Sequence, residues 1–427
     1  MQQVTRKKLA KGVHLTYVTT PKFKRAVVRV ALLLPLGGPD AALRACLPHV
    51  LRRGTKRLPD LRAIGEALDD LYGARIEAVV RREGEHLAVG FLSDCIDESC
   101  APGADGLTAG VIRLLAELLC DPYTQEGVFC PDYTAGEREN LIDRIAAQKN
   151  DPRVWAPLRL TQLMCADEAY GQPVHGTKEQ AEKVTERKLY AAYQRALDEA
   201  QLELFYCGPL APDTVEGLFL DTPLAQPRPK ALPLPPAVVL AQPKDAAREV
   251  VEEEPVTQGK LSLGFRTGGA SLTGGDAAAY WVFQTLYGGS TSSKLFLHVR
   301  EQKSLCYYAS AQFIAPKGIM MVNSGIENGD FTAARDEILR QLDECREGHI
   351  GDDEMDAARK ALATNWGAML DDPLTLERYW LGQAAAGTMV APEERIAQAG
   401  VVSRERVVAA AQATTLDMVY FMKGAAG

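Results

Sequence analysis

The stretch VTERKLYAAYQRALDEAQLELFYCG (Val184–Gly208) reads as one phrase of structure: a Thr N-cap, a charged first turn, an Ala-rich amphipathic helix, then an apolar strand closed by glycine. The chain ends on the same phrase, VSRERVVAAAQATTLDMVYFMKG (Val402–Gly424), with Ser as the cap and the same AAxQ core. The offset is 218 residues at the leading valine (402 − 184) and 216 at the closing glycine (424 − 208), so only two residues separate the copies in length. Such self-similarity predicts two copies of one fold.

Working outward, the strongest break is Asp221–Pro255, which carries eight prolines and an acidic run. Proline at this density opposes regular helix and favours an extended connector. The expected organisation is therefore a first repeat over 1–220, a linker over 221–255 and a second repeat over 256–427. In the first repeat HLTYVTT and AVVRVALLLPL suggest paired strands, and ARIEAVVRREGEHLAVGFL alternates as a hairpin. LPDLRAIGEALDDLYG places Leu61, Ile64, Leu68, Leu71 and Tyr72 on one helix face with Gly73 as the stop. Further helices are expected near 106–121, 134–149, 153–167 and 177–198. In the second repeat KLSLGFRT opens, helices follow near 276–287 and 291–302, LCYYASAQFIAPKGIMMVNSGI forms a hairpin, and helices fill 330–413. Strands segregated from helices indicate an α+β class, each repeat an antiparallel-rich sheet covered by helices.

Composition narrows the function. The 427 residues carry a net charge of −8, with 46% hydrophobic and 24% charged residues, as in ordinary globular proteins. The absence of a basic excess speaks against nucleic acid as a partner. Val30–Gly38, the longest apolar run, is too short to span a bilayer, and the N-terminus lacks the apolar run and cleavage site of an export signal. Nine cysteines without CxxC pairs suggest reduced thiols and a cytoplasmic location.

LPHVLRRGT with LYGA, a proline-rich connector, and LYGGSTSSKLFLHVREQKSLCYY resemble the pitrilysin/insulinase family of zinc peptidases over nearly the whole chain. That family includes the mitochondrial processing peptidases and the core proteins of the bc1 complex. The resemblance implies a LuxS/processing-peptidase-like fold in which the two repeats form half of a clamshell. Active members carry the inverted zinc motif H-x-x-E-H on a helix. Histidines at i and i+4 share a helix face and reach one zinc, and the glutamate between them acts as general base on the bound water. Aligned on the trailing Gly-Thr, the motif falls on Ala45-Cys46-Leu47-Pro48-His49. Ala45 stands for the first ligand, Pro48 for the base, and only His49 remains. The third ligand, a glutamate on a later helix, falls on Arg144, or on Asp143 if the frame slips by one. A catalytic zinc needs three protein ligands, so no metal is expected here and no hydrolysis by the family mechanism. Cys46 and His49, at i and i+3, could form a replacement pair, but Pro48 lies between them and further ligands are not evident. His14, His86, His175, His298 and His349 are isolated in the sequence. LYGGSTSSK reads as a loop with a Ser or Thr N-cap, or as a weak anion site.

In the family, an Arg and a Tyr seven residues apart in the second repeat bind the substrate backbone and stabilise the tetrahedral intermediate; Arg300 and Tyr307 match that spacing. A guanidinium fork and a phenolic hydroxyl both suit a carbonyl or an oxyanion. The plainer reading is that Arg300 salt-bridges a helix end and Tyr307 starts a strand. The resemblance implies a non-catalytic subunit that pairs with a zinc-bearing homologue, or with itself, around a peptide or protein substrate, the zinc residing in the partner. RACLPHVL, LDDLYGA and QGKLSLGFRT further resemble the zinc-less member of bacterial tandem pairs associated with 5-aminopentanol modification of elongation factor P. The alternatives are a stand-alone zinc endopeptidase and a structural, peptide-holding chamber.

Overall fold

A computed structural model describes residues 3–424 except Pro102, Pro229 and Asp245. The first half runs β1 (Gln3–Ala10), β2 (Val13–Thr19), β3 (Arg25–Pro35), α1 (Ala41–Leu51), α2 (Leu61–Asp70), β4 (Arg75–Glu83), β5 (His86–Ile96) and α3 (Leu107–Cys120). A two-residue hairpin, β6 (Thr124–Gln125) and β7 (Val128–Phe129), precedes α4 (Pro131–Ala147), α5 (Pro152–Met164), α6 (Lys178–Ala181), α7 (Glu186–Glu199), β8 (Gln201–Gly208) and α8 (Pro212–Leu220). The second half runs β9 (Arg248–Glu254), β10 (Gly259–Arg266), α9 (Ala277–Gln284), β11 (Tyr308–Ile314) and β12 (Ile319–Ile326). It closes with α10 (Phe331–Arg346), α11 (Asp352–Met369), α12 (Pro373–Ala385), α13 (Pro392–Gly400), α14 (Arg404–Ala413) and β13 (Thr415–Gly424).

The repeat is visible in the strand order. The first sheet is ordered β1-β2-β8-β3-β5-β4 and the second β11-β12-β10-β13-β9. Read from its other edge, the second becomes β9-β13-β10-β12-β11, the same order as β2-β8-β3-β5-β4. Even the exception agrees: β2 with β8 and β9 with β13 are the parallel pairs, and every other pairing in both sheets is antiparallel. The phrase that opened the sequence reading is the helix–strand pair α7–β8 and its copy α14–β13. Thr185 and Ser403 cap the two helices, accepting from the backbone N–H of Lys188 and Arg406.

Three expectations are corrected. The strands HLTYVTT and AVVRVALLLPL are not neighbours, because β8 lies between β2 and β3. Apart from half-buried Gln201, β8 is buried throughout, and a strand without an exposed face belongs inside a sheet rather than at its edge. The helix expected over 177–198 is two, α6 and α7, divided where Thr185 starts a new cap. Arg248–Glu254, read above as the acidic end of the connector, is β9; Pro229 and Asp245 of that connector lie outside the described residues. The β9 side chains alternate half-buried and exposed, as suits a charged edge strand.

The compact units draw on both halves of the sequence. The first comprises residues 1–146, 172–237 and 372–387, and the second 147–171, 238–371 and 388–427. In the first unit α1, α3 and α7 cover the sheet, while α12, from late in the sequence, packs on β3 and β8. Leu381 of α12 meets Ala31, Leu33 and Ala88. On the same face of β3, Arg29 is fully buried with its Nε 3.5 Å from Glu377 of α12, and Arg81 of β4 donates to both carboxylate oxygens of Glu377 at 3.0 Å. Burial lowers the Arg29 pKa to about 10. The second unit repeats the device with α5, which packs on β10 and β13. A Cβ on Gly264 would stand 2.5 Å from Met164 Sδ, so glycine admits the helix. Glu168, just past α5, accepts from Arg266 at 2.7 Å and pairs with buried Lys317 at 2.6 Å.

Candidate functional site

The degenerate motif lies on α1, in the first unit. It begins at Ala41 and continues through Pro48 to Leu51, so the helix neither starts nor ends at the proline. Ala45, Cys46, Leu47 and Pro48 are buried, while His49 is half-buried. From α4, Arg144 reaches His49, with Nη1 3.0 Å from Nε2. A guanidinium can only donate, so Nε2 accepts and the imidazole is neutral. Asp143, one residue earlier on α4, is exposed. Burial first, then the charges of Arg144, His175 and Arg52, push the His49 pKa down to about 4. His175 is pushed down to about 4 by the same two kinds of cause, burial and Arg144.

The residues present do not fit a zinc ion. The lone pair that would bind metal accepts a hydrogen bond from a cation. Cys46 is 1% exposed, and burial raises its thiol to about 12, far from the thiolate a metal needs. The nearby carboxylate, Glu137 of α4, accepts from Arg53 and Asn140, each at 3.2 Å. Among the described residues no three His, Cys, Asp or Glu side chains come together as metal ligands. His14 lies 3.3 Å from Glu203, His86 is buried against the Pro235 carbonyl at 2.7 Å, and His298 and His349 contact Gln302 and Glu344.

The second place is in the second unit. Arg300 and Tyr307 line one concavity of about 430 Å³, together with Glu301, Ser304, Leu305, Cys306, Glu327 and Asp330. Arg300 rides on a π-helical stretch, Leu295–Gln302, a geometry that recurs at functional sites. Its guanidinium covers the Phe296 ring at 4.8 Å, and its Nε is 3.6 Å from Glu301. After it the chain turns through Ser304 at φ +52°. The Tyr307 backbone N–H donates to Gly325 and fixes the start of the hairpin. The Tyr307 ring is 56% exposed, its hydroxyl donates to Glu327 at 2.5 Å, and that carboxylate raises the phenol pKa. The preceding loop is held by its own hydroxyls: Ser290 meets Ser292 at 3.1 Å and Ser293 accepts from the Phe296 N–H.

The structure thus brings His49 and Arg144 together in one unit, and Arg300 and Tyr307 together in the other. Sequence reasoning missed His175 and Glu137. His175 stands in a loop, PVHG, with no partner at ligand spacing, and only the fold carries it into the field of Arg144. Glu137 was legible in principle, lying seven residues before Arg144 and hence on the same face of α4.

Comparison with known proteins places the whole chain. Residues 183–362 match the family described as Peptidase M16 inactive domain. A Bacillus subtilis protein named "Probable inactive metalloprotease YmfF" is 32% identical over 416 residues, covering 97% of each chain. An uncharacterized zinc protease of Streptomyces coelicolor is 24% identical over 418 residues, 91% of this chain and 90% of that one. The crystal structure of a conserved protein from Enterococcus faecalis superposes with a TM-score of 0.88 at 25% identity, covering 99% of both chains. The structure of a peptidase M16 inactive domain from Pseudomonas fluorescens does so with a TM-score of 0.79 at 18% identity, over 100% of this chain and 99% of that one. The chain belongs to the M16 family of peptidases.

Proposed function

We propose that this chain is a non-catalytic M16 subunit. It pairs with a zinc-bearing homologue and helps hold the peptide or protein that the partner cleaves. The observation that carries the reading is the guanidinium of Arg144 on His49 Nε2, at 3.0 Å, where an active site would need a free ligand. With Ala45 and Pro48 in place of a ligand and a base, the chain lacks the means to activate water. Arg300 and Tyr307, sharing one concavity, supply donors for a carbonyl or a developing oxyanion. In this reading Tyr307 exchanges its bond to Glu327 for one to the substrate. The two repeats, 1–220 and 256–427 about the 221–255 connector, form one half of a clamshell in the cytoplasm, and the partner supplies the other half and the zinc. A link to elongation factor P modification is the finer form of the proposal and rests on RACLPHVL, LDDLYGA and QGKLSLGFRT.

The test is to mix the purified chain with a zinc-bearing homologue and follow cleavage of a peptide library. Arg300→Ala and Tyr307→Phe should each lower kcat/KM of the mixture by tenfold or more, while the complex still forms on a sizing column. Unchanged cleavage would defeat the in-trans role. A second reading, a peptide-holding chamber without an active partner, is favoured by the hydroxyl of Tyr307 already being committed to Glu327; it expects peptide binding and no cleavage with any homologue. Stoichiometric zinc by elemental analysis, with chelator-sensitive hydrolysis by the chain alone, would instead establish a stand-alone endopeptidase.

A further inference from the structure

Arg144 has a charge to spare. Its single hydrogen bond among the described residues is to the neutral ring of His49, and no carboxylate pairs with it. Two neighbouring cations are spent otherwise. Arg53 donates to Glu137 and lies over the Tyr133 ring at 5.1 Å, and Arg138 pairs with Glu139 at 3.0 Å. Arg144, His49 and His175 are each half-buried, so part of the cluster remains open to water and small groups. A half-buried cation that is not neutralised from within is an anion site in waiting.

We infer that Arg144, held by His49, makes the degenerate metal site into a receptor for a single carboxylate, carried by a peptide at its C-terminus or on an acidic side chain. The chemistry selects this ligand. With Nη1 engaged by His49, the Nε–Nη2 edge of the fork remains, and a carboxylate matches it with two parallel hydrogen bonds. One unmatched positive charge balances one negative charge. A dianion such as phosphate would be in excess, and Glu137, buried on the same face of α4, would oppose it. The two imidazoles, held near 4 by burial and by Arg144, are uncharged at pH 7, so the positive charge in contact with His49 is that of the Arg144 guanidinium. The site lies in a different unit from Arg300 and Tyr307, so it can fail without touching the in-trans proposal, and the converse holds.

Three fluorescent N-acetylated heptapeptides test it by anisotropy against the full chain at pH 7. One ends in a free carboxylate, one is amidated with a single internal Glu, and one is amidated and uncharged. At least one of the first two should bind ten or more times tighter than the third, and which one it is assigns the source of the carboxylate. Arg144→Gln should erase that difference, Arg144→Lys should retain part of it, and Arg300→Ala should leave it intact. Should the Arg144 variants fail to fold, competition on the unaltered chain still decides: acetate should displace the bound peptide where acetamide does not, and inorganic phosphate should be no better than acetate. Equal binding of the three peptides, no detectable binding of any, or displacement by acetate and acetamide alike would overturn the inference.

Discussion

At the scale of the residue, the contact between Arg144 and His49 has a titration signature. Burial and the guanidinium both disfavour the imidazolium, so His49 and His175 should titrate near 4 in the folded protein. The unfolded chain binds those protons near 6.5, so stability rises with pH between about 4 and 6.5 and is lost as pH falls through that window. Each group contributes at most about 3 kcal/mol, and the two are not independent. Arg144→Gln removes one cause and leaves the larger one, burial. Both pKa values should then rise but stay below the unfolded value, and the variant should lose less stability than the parent between pH 6.5 and 4. Histidine-resolved NMR with urea melts at several pH values checks this; unmoved histidine titrations would contradict it.

The same contact bears on metal binding. Ala45→His with Pro48→Glu recreates the motif on α1, but His49 would still be bonded to a guanidinium. We expect the double variant to bind zinc poorly in equilibrium dialysis, and the triple variant with Arg144→Glu to bind it at least tenfold better. Tight binding by the double variant would refute the blocking role of Arg144. This part of the site was legible in sequence because a short helical motif fixes which positions share a face. The place of His175 was not, because nothing in PVHG encodes what another segment will bring beside it.

At the scale of the element, α12 is held to the first sheet by charge as well as by apolar contact. Glu377 is fully buried and faces Arg29 and Arg81. Removing it deprives Arg29 of its paired carboxylate in a desolvated place, and breaking a buried pair in this way costs about 3–5 kcal/mol. Glu377→Ala should therefore lower the urea midpoint clearly, whereas Leu374→Ala, at an exposed site on the same helix, should change little. Equal effects at positions 377 and 374 would show that the ion pair contributes nothing net. The helices themselves were readable from caps and apolar spacing, since Thr185 and Ser403 announce α7 and α14. Pairing was less so. A strand as buried as β8 carries no mark of which neighbours it takes. The charged β9, REVVEEE, has the composition of a solvated run, and its strand character comes from the parallel partner β13 rather than from its own residues.

At the scale of the whole molecule, the nine cysteines are all free. Burial raises Cys46, Cys165, Cys207 and Cys345 each to about 12, whereas Cys100 is exposed. Because the thiolate is the reactive form, a thiol reagent at pH 8 should modify one cysteine rapidly in the native chain and all of them after denaturation. Mass mapping should find the fast label on Cys100; rapid labelling of Cys46 would contradict the closed packing of α1.

The crossing of helices between the units also sets the order of events on the ribosome. The last strand of the first sheet is complete at Gly208, yet the helix that covers its other face ends at Ala385. At about 5–20 residues per second, the 177 residues between them (385 − 208) take roughly 9–35 s to synthesise. Throughout that interval Ala31, Leu33 and Ala88 await Leu381, and the lone Arg29 awaits its carboxylate. The nascent chain therefore carries an apolar sheet with one face uncovered for 177 of its 427 residues of synthesis, a natural client for a holding chaperone, and a first half made alone would lack the helix that covers that face.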